Sequence, residues 1–319
     1  MRRILLSTTK ILISATLLYF ALRKANFSDL ASRLDVASLG WIGLAIAATL
    51  LQIFVGVLRW QAVSAECGAP LATMQAFRFN MIGTFFNQTL PSSIGGDAVR
   101  LWLVARGGAG WRAATYSIFV DRAIGLIALA IIIVASLPWS YRLIGDPYGR
   151  SALLLVDFAA LGGGAGFLVL GRLQWPWLKR WWGTHHLHAC AVIANRVIFS
   201  RERGPVIAAL SIVVHVLTVI IAWCVVQSIA APVVFSQVFL LVPPVVLITM
   251  LPISIAGWGV REGAMILALG QIGVAPVDAL SLSVLFGLTG LAAALPGAAL
   301  WMTSGARAPE APLAQLTPK

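Results

Sequence analysis

An eleven-residue phrase occurs twice in this chain, each time inside an apolar stretch. Leu90-Pro-Ser-Ser-Ile-Gly-Gly-Asp-Ala-Val-Arg100 returns as Leu251-Pro-Ile-Ser-Ile-Ala-Gly-Trp-Gly-Val-Arg261, with seven of eleven positions identical and an offset of 161 residues. The offset is about half of the 319-residue chain. Each copy breaks its apolar stretch with Pro and Gly and then places an arginine. A chain written this way has to fold as two related halves, each with an interrupted helix and a charge at depth. Paired broken segments in corresponding halves are a pointer to a transporter binding site.

What surrounds the phrases sets the solvent. The chain is 60% hydrophobic and 11% charged, with a mean hydropathy of +0.91. Several runs approach the ~20 apolar residues needed to cross a hydrocarbon core of about 30 Å. This is an all-α polytopic membrane protein. The net charge of +12 does not mark a nucleic-acid binder. The cations lie mainly in short loops, where the positive-inside rule expects them, and no basic stripe with interleaved aromatics forms a soluble face. The twelve tryptophans suit interfacial belts. Cys67, Cys190 and Cys224 have no metal or redox spacing and read as structural thiols. Met1-Arg2-Arg3 and the apolar run to Leu22 read as an uncleaved first span, because no small-residue cleavage site precedes Arg23.

Six full spans are expected, at 4–22, 37–58, 114–137, 151–170, 206–230 and 277–302. The regions 79–105 and 234–270 each hold one phrase and read as re-entrant helical hairpins. Irregular backbone at depth survives only where protein or water satisfies it. The loop 171–205 carries Arg172, Lys179, Arg180, Arg196, Arg201 and Arg203, which places it and both termini in the cytoplasm. Arg23, Lys24 and Arg33 in the loop 23–36 run against this assignment, and the larger cluster outweighs them. Three spans separate the hairpins, so the hairpins enter from opposite faces. The units, about 37–137 and 206–303, then form an inverted-topology repeat within one transmembrane domain, 1–303, followed by a disordered cytoplasmic tail, 304–319. Residues 173–183 read as an interfacial anchor.

Six charges fall at membrane depth: Asp97, Arg100, Asp121, Arg122, Arg261 and Glu262. An Arg or Asp at a helix centre costs roughly 2.5–3.5 kcal/mol on insertion scales, so such groups face a protein interior or a cavity and pair. Asp97 and Arg100, spaced i, i+3, share a helix face. Gly95, Gly96 and Gly257 are expected to turn the backbone ahead of two half-helices whose free N–H groups favour an anion. Arg100 and Arg261, about one turn in, would bind phosphate through their guanidinium forks. Ser93 and Ser254 complete the candidate binding set. Two such ends meeting near the midplane would make a phosphate receptor. The competing reading is a set of buried ion pairs that fix the fold, with Asp121 pairing with Arg100 or Arg112.

Other features carry less. His185, His186 and His188 resemble a metal cluster but lack matched acids or cysteines. His215 reads as a hydrogen-bonded core histidine, with a proton relay as the alternative. The Gly162–Gly166 stripe is expected to permit close helix packing. The sequons at Asn26 and Asn87 carry no message. No Walker loop, zinc-protease motif or nucleophile elbow is present, so neither a cofactor nor a catalytic activity is expected.

Asn87 through Arg106, and Leu251 through Gly263 with its Gly-Trp-Gly-Val-Arg-Glu-Gly run, resemble the transmembrane region of lysylphosphatidylglycerol synthases, a flippase-like family of integral membrane proteins. Ala256 stands where a second glycine is common in that family. The resemblance implies a lipid-translocating domain without the aminoacyl-transferase that some members carry. The expected function is flipping of a phospholipid or related phosphate-bearing or amphiphilic lipid across the bacterial inner membrane. The expected partner is a membrane lipid, with a separate lipid-modifying transferase as a further one. The alternative is an accessory protein or enzyme acting on polyprenyl-phosphate or glycolipid intermediates.

Overall fold

The structure, a computed structural model, describes residues 35–89, 95–250 and 257–303. Its described elements are helical throughout. The first unit runs α1 (Val36–Glu66), α2 (Thr73–Thr89), α3 (Gly95–Val104) and, after a π turn at Ala105–Ala109, α4 (Gly110–Leu143). Then come α5 (Pro147–Leu170), a 3-10 turn (Pro176–Lys179) and α6 (Trp182–Ile198). The second unit runs α7 (Gly204–Ser228), α8 (Phe235–Thr249), α9 (Val260–Gly270) and α10 (Pro276–Thr303).

Among the described residues, five stretches are long and apolar enough to cross a membrane: α1, α3–α4 taken together, α5, α7 and α10. They answer to five of the six expected spans; the sixth, 4–22, lies outside the described residues, as do the start of the first phrase and of the second, Ser93, Ser254 and the tail. At 1.5 Å per residue, α2 and α8 are about 25 Å or shorter and α3 and α9 shorter still, so none crosses alone.

Helix ends follow local chemistry. Asp35 Oδ1 accepts a hydrogen bond from the Ser38 N–H (2.7 Å) and Ser38 Oγ accepts one from the Asp35 N–H (3.2 Å), a capping box that starts α1. Asp146 accepts from the Gly149 N–H (2.7 Å) and Pro147 occupies the first position of α5, where its missing N–H is no loss. α1 does not stop at residue 58. No Gly or Pro interrupts residues 59–66, and the chain turns only at Gly68, where φ is +77°. Arg59 and Trp60 therefore stay in the helix and are buried.

The packing is reciprocal between the units. α1 lies along α7, α10 packs on α2, and α4 packs on α8. Each unit thus closes its last helix over the hairpin of the other. The loops bring α1 and α4 to one end of the bundle, so α2 and α3 must return to that end. The same holds for α8 and α9 at the opposite end. Glu66, the last residue of α1, pairs with Arg203, just before α7, and Tyr116 near the start of α4 bonds His186 of α6 (2.6 Å). The 171–205 cations therefore share an end with Arg106 and Arg112. α6 is not among the membrane-length helices, and Trp175, Trp181 and Trp182 beside it are exposed, the arrangement of an interfacial segment.

Candidate functional site

Three helices converge around Asp121. Arg59, on α1, donates through Nε to Asp121 Oδ1 at 2.9 Å. Arg100, on α3, stands 4.0 Å from Asp121 Oδ2 through Nη2 and donates to Asp97 Oδ1 at 3.1 Å through Nη1. Arg122, on α4, grips the Asp97 carboxylate with both Nε and Nη2 at 2.9 Å. The Arg100 guanidinium also lies over the Trp60 ring, 4.0 Å from its centroid, a cation–π contact that gains strength away from water. Arg59, Arg100 and Asp121 are buried, whereas the Arg122 side chain is 46% exposed.

This corrects two expectations. Of the two partners expected for Asp121, Arg100 stands at 4.0 Å but Arg112 instead bonds the Tyr116 hydroxyl, and the close partner is Arg59. Arg59 was missed because the apolar window ends at Leu58, and a charge at a window's edge reads as a loop residue. Gly95 and Gly96 do not make a turn. Gly95 opens α3 and Gly96 lies within it, where a Cβ would collide with the Gly83 carbonyl oxygen of α2 and come within 2.6 Å of Asn87 Cγ. The Asn87 Oδ1 accepts from the Gly96 N–H at 2.9 Å, so this asparagine caps α3, a role no motif signalled.

The second phrase builds a different centre. Gly257 and Gly259 carry φ of +80° and +85°, left-handed values that suit glycine. Arg261 falls in the first turn of α9, earlier than expected. Glu262 is fully buried, accepts from the Gly259 N–H, and pairs with Arg261 Nη2 at 2.9 Å. Ser283 of α10 donates to Glu262 Oε1 at 2.9 Å and accepts from Arg261 Nε at 3.1 Å. The anion expected at this helix N-terminus is thus supplied by the chain's own carboxylate. Arg261 lies over Trp258, 4.6 Å from the ring centroid, as Arg100 lies over Trp60. The charged residues divide into two centres, one per unit, with no ion pair between them among the described residues.

An apolar cavity of about 450 Å³ lies between α4, α5 and the end of α8, and none of the first centre's charged residues lines it. Phe119, Ala123 and Leu126 line it from α4, Gly163 and Gly164 from α5, and Met250 from the end of α8. The glycine stripe therefore hollows a cavity more than it tightens a helix contact: nothing would meet a Cβ at Gly162, Gly163 or Gly166 within 4 Å.

The remaining candidates have structural partners. His215 bonds the Gly125 carbonyl at 2.9 Å and His188 the Leu173 carbonyl at 2.8 Å. Among the described residues no three His, Cys, Asp or Glu side chains gather to hold a metal.

Two broken hairpins, an arginine in the second arm of each, and long apolar helices in the matching order are the arrangement the two phrases implied, and the family model for the lysylphosphatidylglycerol synthase transmembrane region matches residues 7–297. The chain belongs to that family. The match spans both phrases and takes in the long helices described, ending at residue 297 within α10. Membership of the lysylphosphatidylglycerol synthase transmembrane-region family makes this a multi-pass membrane protein related to lipid handling. Comparison with curated proteins returns no match.

Proposed function

We propose that the protein moves a phosphate-bearing lipid, or a related amphiphile, between the leaflets of the bacterial inner membrane. The observation that carries this reading is a juxtaposition on α4. Arg122, half exposed and oriented by Asp97, is next to Ala123 and within one turn of Phe119 and Leu126 along α4, residues that line the apolar cavity. A cation at the flank of an apolar cavity suits a headgroup and its tail. The end of the bundle that bears the 171–205 loop faces the cytoplasm by the positive-inside rule, and both termini with it. The first hairpin then enters from the cytoplasm and the second from outside. Units of opposite orientation around one centre are the frame of alternating access. Asp97, Arg100, Asp121 and Arg122 serve the headgroup side, and Arg261 with Glu262 holds the second hairpin closed until the bundle rocks.

Reconstitution into vesicles that carry a fluorescent phospholipid tests this, with an impermeant quencher reading how much probe changes leaflet. The wild type is expected to move the probe. Arg100→Ala and Arg261→Ala should each abolish movement, and the lysine versions should recover only part of it, because an ammonium cannot reproduce the planar fork. Wild-type rates in both alanine variants would refute the assignment.

A further inference from the structure

The two centres are built alike but are not equally complete. Asp121 and Gly125 on α4 match Ser283 and Gly287 on α10, both pairs spaced i, i+4. A guanidinium rests against each glycine, Arg59 at Gly125 and Arg261 at Gly287. Each phrase arginine stacks on a tryptophan. In the second centre one guanidinium meets one carboxylate, and Ser283 closes the network. In the first, three guanidinium groups face two carboxylates, so one positive charge has no counterpart. Three buried donors there have no acceptor: Arg59 Nη1, Arg100 Nε and Trp60 Nε1. All three belong to residues that are 8% exposed or less. A buried donor without a partner costs about 1–3 kcal/mol, more when charged, and an uncompensated charge at membrane depth adds to that.

We infer that the first centre is the binding site for one phosphate group bearing a single negative charge, with Arg59 and Trp60 as binding residues beside Arg100 and Arg122. In the second centre Glu262 takes the place that the phosphate takes in the first. This rests on the translocation reading for the phosphate being that of a lipid. The shared chemistry is a singly charged phosphate, which a phosphodiester headgroup or inorganic phosphate could supply. Asp97 and Asp121 tune the site: they lower its charge to one, which matches a diester and leaves a doubly charged monoester over-charged by one.

The test is calorimetric titration of the full chain in nonionic detergent. The probes are dihexanoyl phosphatidylglycerol, dihexanoyl phosphatidylcholine, dihexanoyl phosphatidic acid and inorganic phosphate. The wild type is expected to bind the glycerol lipid several-fold tighter than the choline lipid, whose phosphate is the same but whose quaternary ammonium brings a second positive charge toward a site that already holds one in excess. Trp60→Phe, which removes the one N–H and keeps an aromatic face under Arg100, should weaken that binding several-fold, and Arg59→Gln by about tenfold or more. Asp97→Asn raises the site's charge to two, so the preference should swing from phosphatidylglycerol toward phosphatidic acid. That ratio is a readout that general loosening of the fold would not move. Thermal melting accompanies each variant; should Arg59→Gln fail to fold, Trp60→Phe and the Asp97→Asn ratio decide. A wild type that binds neither the lipids nor inorganic phosphate overturns the inference. So does wild-type binding by folded Trp60→Phe together with an unmoved Asp97→Asn ratio, the result expected if water satisfies the three donors. Inorganic phosphate binding with no lipid binding supports the site and overturns the lipid reading. Phospholipid movement that persists in vesicles with Trp60→Phe and Arg59→Gln both binding as wild type does the reverse.

Discussion

Asp157 is the sharpest anomaly among single residues. It sits on α5, 3% exposed, and neither carboxylate oxygen has a hydrogen-bond partner. A buried polar group in that condition opposes folding by about 1–3 kcal/mol. Asp157→Leu removes the group and is expected to raise the melting temperature in detergent. A clear fall would show that the carboxyl has a partner the structure does not contain. Two cysteines outside the spans are also displaced in their chemistry. Burial pushes the Cys67 thiol up to about 12 and the Cys190 thiol up to about 11, from an ordinary 9.0. Both should stay thiols at neutral pH and resist maleimides, because the thiolate is the nucleophile. Their sign in the pH–stability relation follows. The unfolded chain releases these protons from about pH 9, while the folded chain retains them to about 11–12. Stability from these groups is whole below pH 9 and lost as pH rises through that window, which melting temperatures from pH 8 to 11 would register as a decline. Cys67→Ala with Cys190→Ala should flatten it.

At the scale of elements, the hairpins depend on how closely their arms approach. α2 and α3 meet at Gly83 and Gly96, and backbone rather than a yielding side chain faces the missing Cβ of Gly96. Gly96→Ala is expected to force the arms apart and to destabilise by about 1–3 kcal/mol, the usual range for overpacking. Gly162→Ala is the matched contrast. Open space surrounds that position, and alanine favours the helix by up to ~1 kcal/mol, so its melting temperature should hold or rise. Equal losses at both sites would show that helix contact does not set the difference. The element boundaries that mattered were not legible from hydropathy. A window average falls as soon as it takes in a cation, yet α1 runs through Arg59 to Glu66, since a helix stops at its turn chemistry and not at its last apolar residue.

For the whole molecule, the two centres differ in access as well as in charge. The Asp97 side chain is 14% exposed and Glu262 is fully enclosed. Under the proposed mechanism this is the conformation open toward the first hairpin. In a background lacking the native cysteines, a single cysteine at 97 should react from the face bearing the 171–205 loop, and one at 262 from neither face. Adding the transported lipid should reduce labelling at 97 and expose 262 to the opposite face. A ligand shifts such an equilibrium only by its differential affinity for the two states. Constant labelling of both positions from both faces would indicate an open groove instead, and labelling of the 171–205 loop from outside intact cells would overturn the orientation.

The sequence by itself determined the solvent, the helical class, the five long described helices, the two broken hairpins and the family, because hydrocarbon admits few backbone solutions and a duplicated phrase survives in the linear order. It also singled out Asp97, Arg100, Asp121, Arg122, Arg261 and Glu262 as charges at depth. Only the tertiary structure decided the pairings between elements. Arg59 reaches Asp121 across 62 positions of chain and Ser283 reaches Glu262 across 21, and no local pattern encodes such pairs. The charge count changed for the same reason. The six charges balance along the sequence, but folding adds Arg59 and separates the units, so that one centre is neutral and the other retains a positive charge.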